Sequence, residues 1–158
     1  MIAWTLLPFS SLTTHQLYAL LKLRTNVFVV EQNCPYPELD DKDTKQDVYH
    51  LLGYERLDDG QSEPELVAYA RLLPPGVSYP QVSIGRVAVA ESARGQKLGH
   101  ALVAEALKGC EQAWPGQDIQ IGAQVYLEAF YKSFGFTRQS EDYLEDGIPH
   151  VDMLLSKA

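Results

Sequence analysis

The six residues Arg94-Gly95-Gln96-Lys97-Leu98-Gly99 carry the most specific chemistry in the sequence. They follow the β-branched stretch Val82 to Ala90, and from Leu98 onward apolar side chains recur at helical spacing through Leu102, Val103, Ala106 and Cys110. A loop of small residues between a strand and a helix offers unpaired backbone N–H groups at the positive end of the helix dipole. Its default ligand is a phosphate or pyrophosphate. A nucleotide-hydrolysing loop would need Gly-Lys-Ser/Thr at the helix start, and a dinucleotide fold would need Gly-x-Gly-x-x-Gly. Neither occurs here, so the loop points to a phosphorylated cofactor of another kind.

The elements around this loop follow from period and punctuation. Residues 2 to 7 read as a strand closed by Pro8. Thr13 as N-cap with Gln16 at N3, and Leu12 stapled to Leu17, open a helix whose stripe is Leu17, Leu20, Leu21, Arg24 and Phe28. Arg24 interrupts that apolar stripe: either its head escapes at the edge, or it is a buried cation facing the cleft. Helical character fades through Val27 to Gln32, and Pro35 and Pro37 end it. The carboxylate-rich run Glu38 to Asp43 is either a solvated loop or one wall of a binding pocket. Asp47 to Tyr54 and Glu65 to Leu73 read as an antiparallel hairpin around Leu57 to Ser62. After the central strand, a long helix runs from about Leu98 to Trp114. Then come a strand over Ile119 to Gln124, a helix over Val125 to Phe134, and a closing hairpin, Phe136 to Tyr143 and Ile148 to Leu155, turning at Asp146-Gly147.

Two signatures together carry a resemblance. The loop 94–99 resembles the acyl-CoA pyrophosphate loop of the GNAT N-acetyltransferases, Gln/Arg-x-x-Gly-x-Gly/Ala, with Lys97 where that pattern has its first glycine. Lysine would follow the turn with a negative φ and add a charge to the phosphates. Downstream, a strand ending in small residues, a helix carrying Phe130-Tyr131, and Phe134-Gly135-Phe136 look like the second GNAT signature in the right order. Leu23-Arg24, Val27 to Tyr36 and Glu145 to His150 extend the similarity to the ElaA-type branch over nearly the whole chain. The resemblance implies one α/β (α+β) domain over residues 1–158. Its mixed, mostly antiparallel central sheet is flanked by helices in the order strand, two helices, three strands, helix, strand, helix, two strands.

It also implies a reaction and its parts. Acetyl-CoA would be the donor and CoA the product, with the amine of a small molecule or peptide as acceptor. The central strand and the next one, Val82 to Ala90 and Ile119 to Gln124, would splay so that the pantetheine arm pairs with the first. Backbone groups at Val87, Ala88 and Val89 would hold the arm, and Arg94 to Gly99, with His100, the phosphates. Tyr131 would protonate the departing thiolate; the alternative is a packed aromatic. Arg24, Glu31, Arg86 and His150 are expected toward the acceptor. The base is open: Val82 to Ala90 holds no carboxylate, and Glu31, His50 and His150 remain, His50 being equally readable as a hydrogen-bonded strand residue.

Bulk numbers bound the rest. The 158 residues suit one domain, and 46% hydrophobic with 22% charged residues is ordinary for a globular protein. A net charge of −8 and a pI near 4.9 argue against nucleic acid as partner and mildly favour cationic small molecules. No apolar run is long enough for a bilayer, and the start lacks a basic leader, so a cytoplasmic protein is expected. Cys34 and Cys110 lack metal or redox spacing; Cys110 reads as core, and Cys34 as a free thiol or a nucleophile with no nominated base. No metal is expected, and a homodimer is left open. Two other functions stay open: a non-catalytic acyl-CoA-binding module, and transfer of a longer acyl chain as in autoinducer synthases.

Overall fold

A computed structural model describes residues 1–56, 59–60 and 63–157. Its strands are β1 (Ile2–Pro8), β2 (Tyr49–Glu55), β3 (Glu65–Leu73), β4 (Val82–Val89), β5 (Ile119–Gln124), β6 (Thr137–Arg138), β7 (Tyr143–Glu145) and β8 (Ile148–Leu155). The α-helices are α1 (Thr14–Arg24), α2 (Leu98–Ala113) and α3 (Glu128–Lys132). The strands form one eight-stranded sheet in the order β1-β2-β3-β4-β5-β8-β6, with β7 also on β8. Every pairing is antiparallel except β4 with β5.

Two cores sandwich the sheet. On one face α2 lays Leu102, Val103, Ala106 and Cys110 against Leu72, Val82, Ile119 and Met153. On the other, Leu20, Leu23 and Val27 pack on Leu52, Tyr69 and Ala88. The α1 start forms the expected capping box: the Gln16 N–H donates to Thr13 Oγ1 at 3.0 Å and the Thr13 N–H to Gln16 Oε1 at 2.9 Å.

Three expectations change in detail. The second helix is instead a π-helical continuation of α1 over Thr25–Glu31. The helix expected over Val125 to Phe134 is a 3₁₀ turn at Val125–Leu127 followed by the short α3. The first arm of the closing hairpin breaks into β6 and β7, both paired with β8, while the turn falls at Asp146-Gly147, where both φ angles are positive. Part of the turn expected at Leu57 to Ser62 lies outside the described residues.

The irregular stretch between Gln32 and Val48 is fastened to the sheet by ion pairs. Arg24, wholly buried, donates from Nε to Glu38 Oε2 at 2.7 Å and from Nη1 to Asp43 Oδ1 at 2.7 Å, with the Tyr69 ring beneath its guanidinium. Arg71 of β3 holds Asp40 through two bonds, 2.9 and 2.8 Å, and reaches Asp43 at 3.0 Å. Arg86 of β4 sets Nε 2.7 Å from Glu38 Oε1 and donates from Nη2 to Asp40 Oδ2 at 3.3 Å. Burial works to raise the Asp43 carboxyl, but the Arg24 and Arg71 guanidiniums outweigh it and hold the group below the usual range.

His50, also wholly buried, belongs to the same cluster. Its Nε2 faces the Asp43 carbonyl at 3.0 Å, which can only accept; Nε2 therefore carries the proton and Nδ1 accepts from the Tyr69 hydroxyl at 2.6 Å. Burial is the main force holding the ring's pKa below its ordinary value. His50 is thus a structural histidine, and Arg24 a structural cation.

Removing one member strands the others in low dielectric. Arg24→Met should cost about 3–5 kcal/mol in urea unfolding, whereas Lys108→Met, which breaks an exposed pair with Glu105, should change stability by less than about 1 kcal/mol. The His50 contribution has a defined sign. It is complete above the 6.5 of a free imidazole and is lost as pH falls below it, because the unfolded chain then binds a proton that the folded ring resists. The slope of stability between pH 7 and 5 should flatten in His50→Gln.

Candidate active site

The parallel strands β4 and β5 pair only at Val82 with Ile119 and Ser83 with Gln120. Beyond that they diverge, for reasons local to each strand. β5 is tied to β8 through six residue pairs, Ile119 to Gln124. β4 carries a bulge opposite Ala70 of β3, where Arg86 takes φ +53°, and the register shifts between Tyr69/Ala88 and Arg71/Gly85. Among the described residues, no strand pairs with the β5-side edge of β4 from Ile84 to Val89. Between the two edges lies a cleft of about 1080 Å³.

The loop closes one end of this cleft. After a 3₁₀ turn at Glu91–Ala93, Gly95 has φ +88° and Lys97 φ +58°. Lys97 is therefore left-handed, against the negative φ expected for it. The conformation costs a side-chain-bearing residue about 1–2 kcal/mol. It turns successive N–H groups to one side, as an anion-binding nest requires. Among the described residues, nothing accepts from the N–H groups of Gly95 through His100, and Lys97, the N-cap of α2, gives no side-chain cap. The free β4 edge, the open N-terminus of α2 and the cleft between them fit the pantetheine arm and phosphates of an acyl-CoA.

Of the residues expected at the cofactor, Val87, Val89, Arg94, Gly95, Lys97, Leu98, Gly99 and Tyr131 line the cleft. Ala88 instead faces the α1 core, and His100 packs against Phe134 with ring centres 4.6 Å apart and tilted by 35°; like Gln96, neither is in the lining. Arg94 does not stand free for phosphate. It grips Glu31 with Nη1 at 2.7 Å and Nη2 at 3.1 Å, and donates to the Val89 carbonyl from Nε at 3.2 Å and Nη2 at 3.0 Å. Glu31 is consequently an ion-pair partner across the cleft, joining the end of the π-helical turn to the loop.

Of the residues proposed toward the acceptor or as base, Arg86 and His150 line the cleft, whereas Arg24 and His50 lie outside it. The carboxylates expected to make this side acidic are matched by arginines: Glu38 by Arg24 and Arg86, Asp40 by Arg71 and Arg86, Asp43 by Arg24 and Arg71. Those six side chains form a network of zero net charge, of which Asp40, Arg71 and Arg86 line the cleft. Sequence reading missed Arg71, Tyr36 and Tyr79, which also line the cleft. The available signal was Arg71 itself, a cation inside the apolar run Glu65 to Leu73.

Tyr131 sits on α3, nearly buried, with edge-on contacts to Phe130 at 5.1 Å and Phe136 at 5.9 Å between ring centres. Among the described residues no group hydrogen-bonds its hydroxyl. Burial pushes its pKa up to about 12. Cys34 lines the cleft with its thiol donating to the Asp146 carbonyl at 3.4 Å, and Cys110 is core.

A sheet split between a parallel pair, with unpaired N–H groups at the mouth of the split, is the arrangement of an acyl-CoA-dependent acyltransferase. The chain belongs to the GNAT acetyltransferase family: residues 61–157 match the acetyltransferase (GNAT) domain. It is 48% identical over 153 residues to protein ElaA of Escherichia coli (strain K12), covering 97% of this chain and 95% of that one. Among solved structures, an acyl-CoA N-acyltransferase from Pseudomonas aeruginosa superposes with TM-score 0.90 at 45% identity, covering 99% and 100% of the two chains. The E. coli ElaA crystal structure gives TM-score 0.87 at 47% identity, covering 98% and 99%. No helix among the described residues is long and apolar enough to cross a membrane.

A Cβ added at Gly99 would meet only the Phe130 ring, at 4.0 Å. Gly99→Val should therefore keep the melting temperature of the free protein while weakening CoA at least tenfold by calorimetry. Glu31→Gln releases Arg94 beside the loop and should change CoA affinity several-fold; unchanged affinity would place the pair off the CoA path.

Proposed function

We propose that this chain transfers an acetyl group from acetyl-CoA to the amine of a small molecule or peptide by direct attack within a ternary complex. The observation that carries the reading is the divergence of β4 from β5 after Ser83, which leaves one strand edge for the donor and a second face for the acceptor. GNAT acetyltransferases bind acyl-CoA and act on amines. When bound, the donor supplies an activated thioester carbonyl: a C–N bond forms, the C–S bond breaks, and of the two protons the ammonium sheds, one ends on sulfur and one in solvent.

The chain's own groups have defined tasks in that exchange. Backbone N–H groups of β4 near Val87 and Val89 orient the acyl carbonyl and stabilise negative charge on its oxygen. The nest at Gly95 to Gly99 holds phosphate. Tyr131 passes a proton from its hydroxyl to the departing sulfur. With its pKa pushed up to about 12, against about 8.5 for an ordinary thiol, it acts as a relay. It must recover a proton from the attacking nitrogen in the same step, since an isolated phenolate in that pocket would be too costly. The Arg–carboxylate network backs the acceptor side and presents Asp40, Arg71 and Arg86 to it.

Thiol release from acetyl-CoA, measured against amines, polyamines, amino acids and peptide N-termini, tests the reading. Turnover with at least one amine is expected, and Tyr131→Phe should lower it by about ten- to a thousandfold with CoA affinity and melting temperature nearly unchanged. CoA binding without thiol release on any acceptor would make the protein a binding module, and release only from longer acyl-CoA donors would move it to another acyl transfer.

A further inference from the structure

The proposed reaction needs a base, and the cleft narrows the field. His50 is outside it with both ring nitrogens engaged, and Glu31 has both carboxylate oxygens on Arg94. His150 differs from both. It stands on β8 opposite Gln124 of β5, on the strand pair that forms one side of the split, and its ring lines the cleft. Its Nδ1 is 2.7 Å from the Ile148 carbonyl oxygen. A carbonyl can only accept, so Nδ1 carries a proton in either charge state, and the neutral ring keeps its lone pair on Nε2.

The surroundings of Nε2 favour taking a proton there. Glu145 Oε2, from the facing strand β7, lies 3.4 Å from it. Two groups that only accept gain nothing from that approach while the ring is neutral, and gain a charged hydrogen bond once Nε2 is protonated. The ring is held flat by the Tyr143 ring, stacked with centres 6.0 Å apart, and the Tyr143 hydroxyl is fixed on Asp152 Oδ1 at 2.7 Å. The titratable groups around His150 are Glu145 and Tyr143 on β7, Asp146 in the turn, Asp152 on β8 and Tyr79 before β4; the neighbour from β5 is the uncharged Gln124. Among the described residues no cation pairs with it.

We propose that His150 is the general base of the acetyl transfer, taking the proton of the acceptor ammonium on Nε2, and that Glu145 is its positioning residue. This rests on the reading above of an amine acceptor. The N–H bond of the ammonium breaks toward Nε2, the electron pair stays on nitrogen and makes the new C–N bond, and the imidazolium is held by Glu145. That carboxylate is 60% exposed, so the proton has a direct exit to water.

The test uses the full chain, acetyl-CoA and the best amine of the panel, with kcat/KM followed against pH. His150→Asn keeps an N–H donor for the Ile148 carbonyl. It should cost about 10²- to 10⁴-fold in kcat, lose the acid limb of the profile and regain activity with added imidazole, with acetyl-CoA affinity unchanged. Glu145→Gln, at an exposed position that does not threaten folding, should lower kcat several-fold with the KM for the amine and acetyl-CoA affinity unchanged, a split that a merely structural role would not produce. Wild-type turnover combined with an intact limb in His150→Asn, or an unchanged kcat in Glu145→Gln, overturns this inference alone. Absence of turnover in the wild type on every amine overturns the acetyl-transfer reading, and this inference with it.

Discussion

Two neighbouring parallel strands that stop pairing after two residues create a debt of backbone hydrogen bonds in the middle of a sheet. Unpaired N–H and C=O groups are costly when removed from water, so such a gap persists only where something else holds the strands apart and the edge stays wet or receives a ligand. Here the holding is done on both sides. β8 ties β5 along its full length, and the bulge at Arg86 bends β4 away under α1. The cleft is therefore a consequence of strand pairing, and the open N-terminus of α2 is placed at its end by the same strand.

The buried arginines support that arrangement from the acceptor side. Arg71 and Arg86 come from the two strands that flank the bulge, and Arg24 from the helix above them. The loop carboxylates Glu38, Asp40 and Asp43 bridge all three. Such a network adds little net stability over a well-packed apolar core, but it is intolerant of losing one member, which fixes an otherwise irregular segment in a single register. It also explains how a protein of net charge −8 can present a polyanionic donor with a cleft that does not repel it. The carboxylates nearest the split are neutralised internally, and the mouth of the split offers unpaired backbone N–H groups to the phosphates of the proposed donor.

The fold was legible because its signals are local: the capping box at Thr13, the helical period after Leu98, and the turn at Asp146-Gly147 all fall where they were read. The loop 94–99 and the strand before it were legible for the same reason, since they are contiguous in sequence. The acceptor side was not. Arg24, Glu38, Asp43, Arg71 and Arg86 meet only through tertiary packing, so a carboxylate run that reads as a solvated loop or a pocket wall folds into an internally paired network. Lys97 adopts a conformation that its side chain disfavours, because the nest geometry outweighs local preference. The partnership of His150 with Glu145 depends on how the last hairpin twists against β5, and spacing alone does not reveal it.

The central claim is that the acyl donor pairs with the free edge of β4. Amide hydrogen exchange with and without acetyl-CoA measures that directly. Protection should rise at Ile84 to Val89 and at Gly95 to His100, with β1 and β2 unchanged. Acetyl-CoA that binds without slowing exchange at the β4 edge would contradict the account.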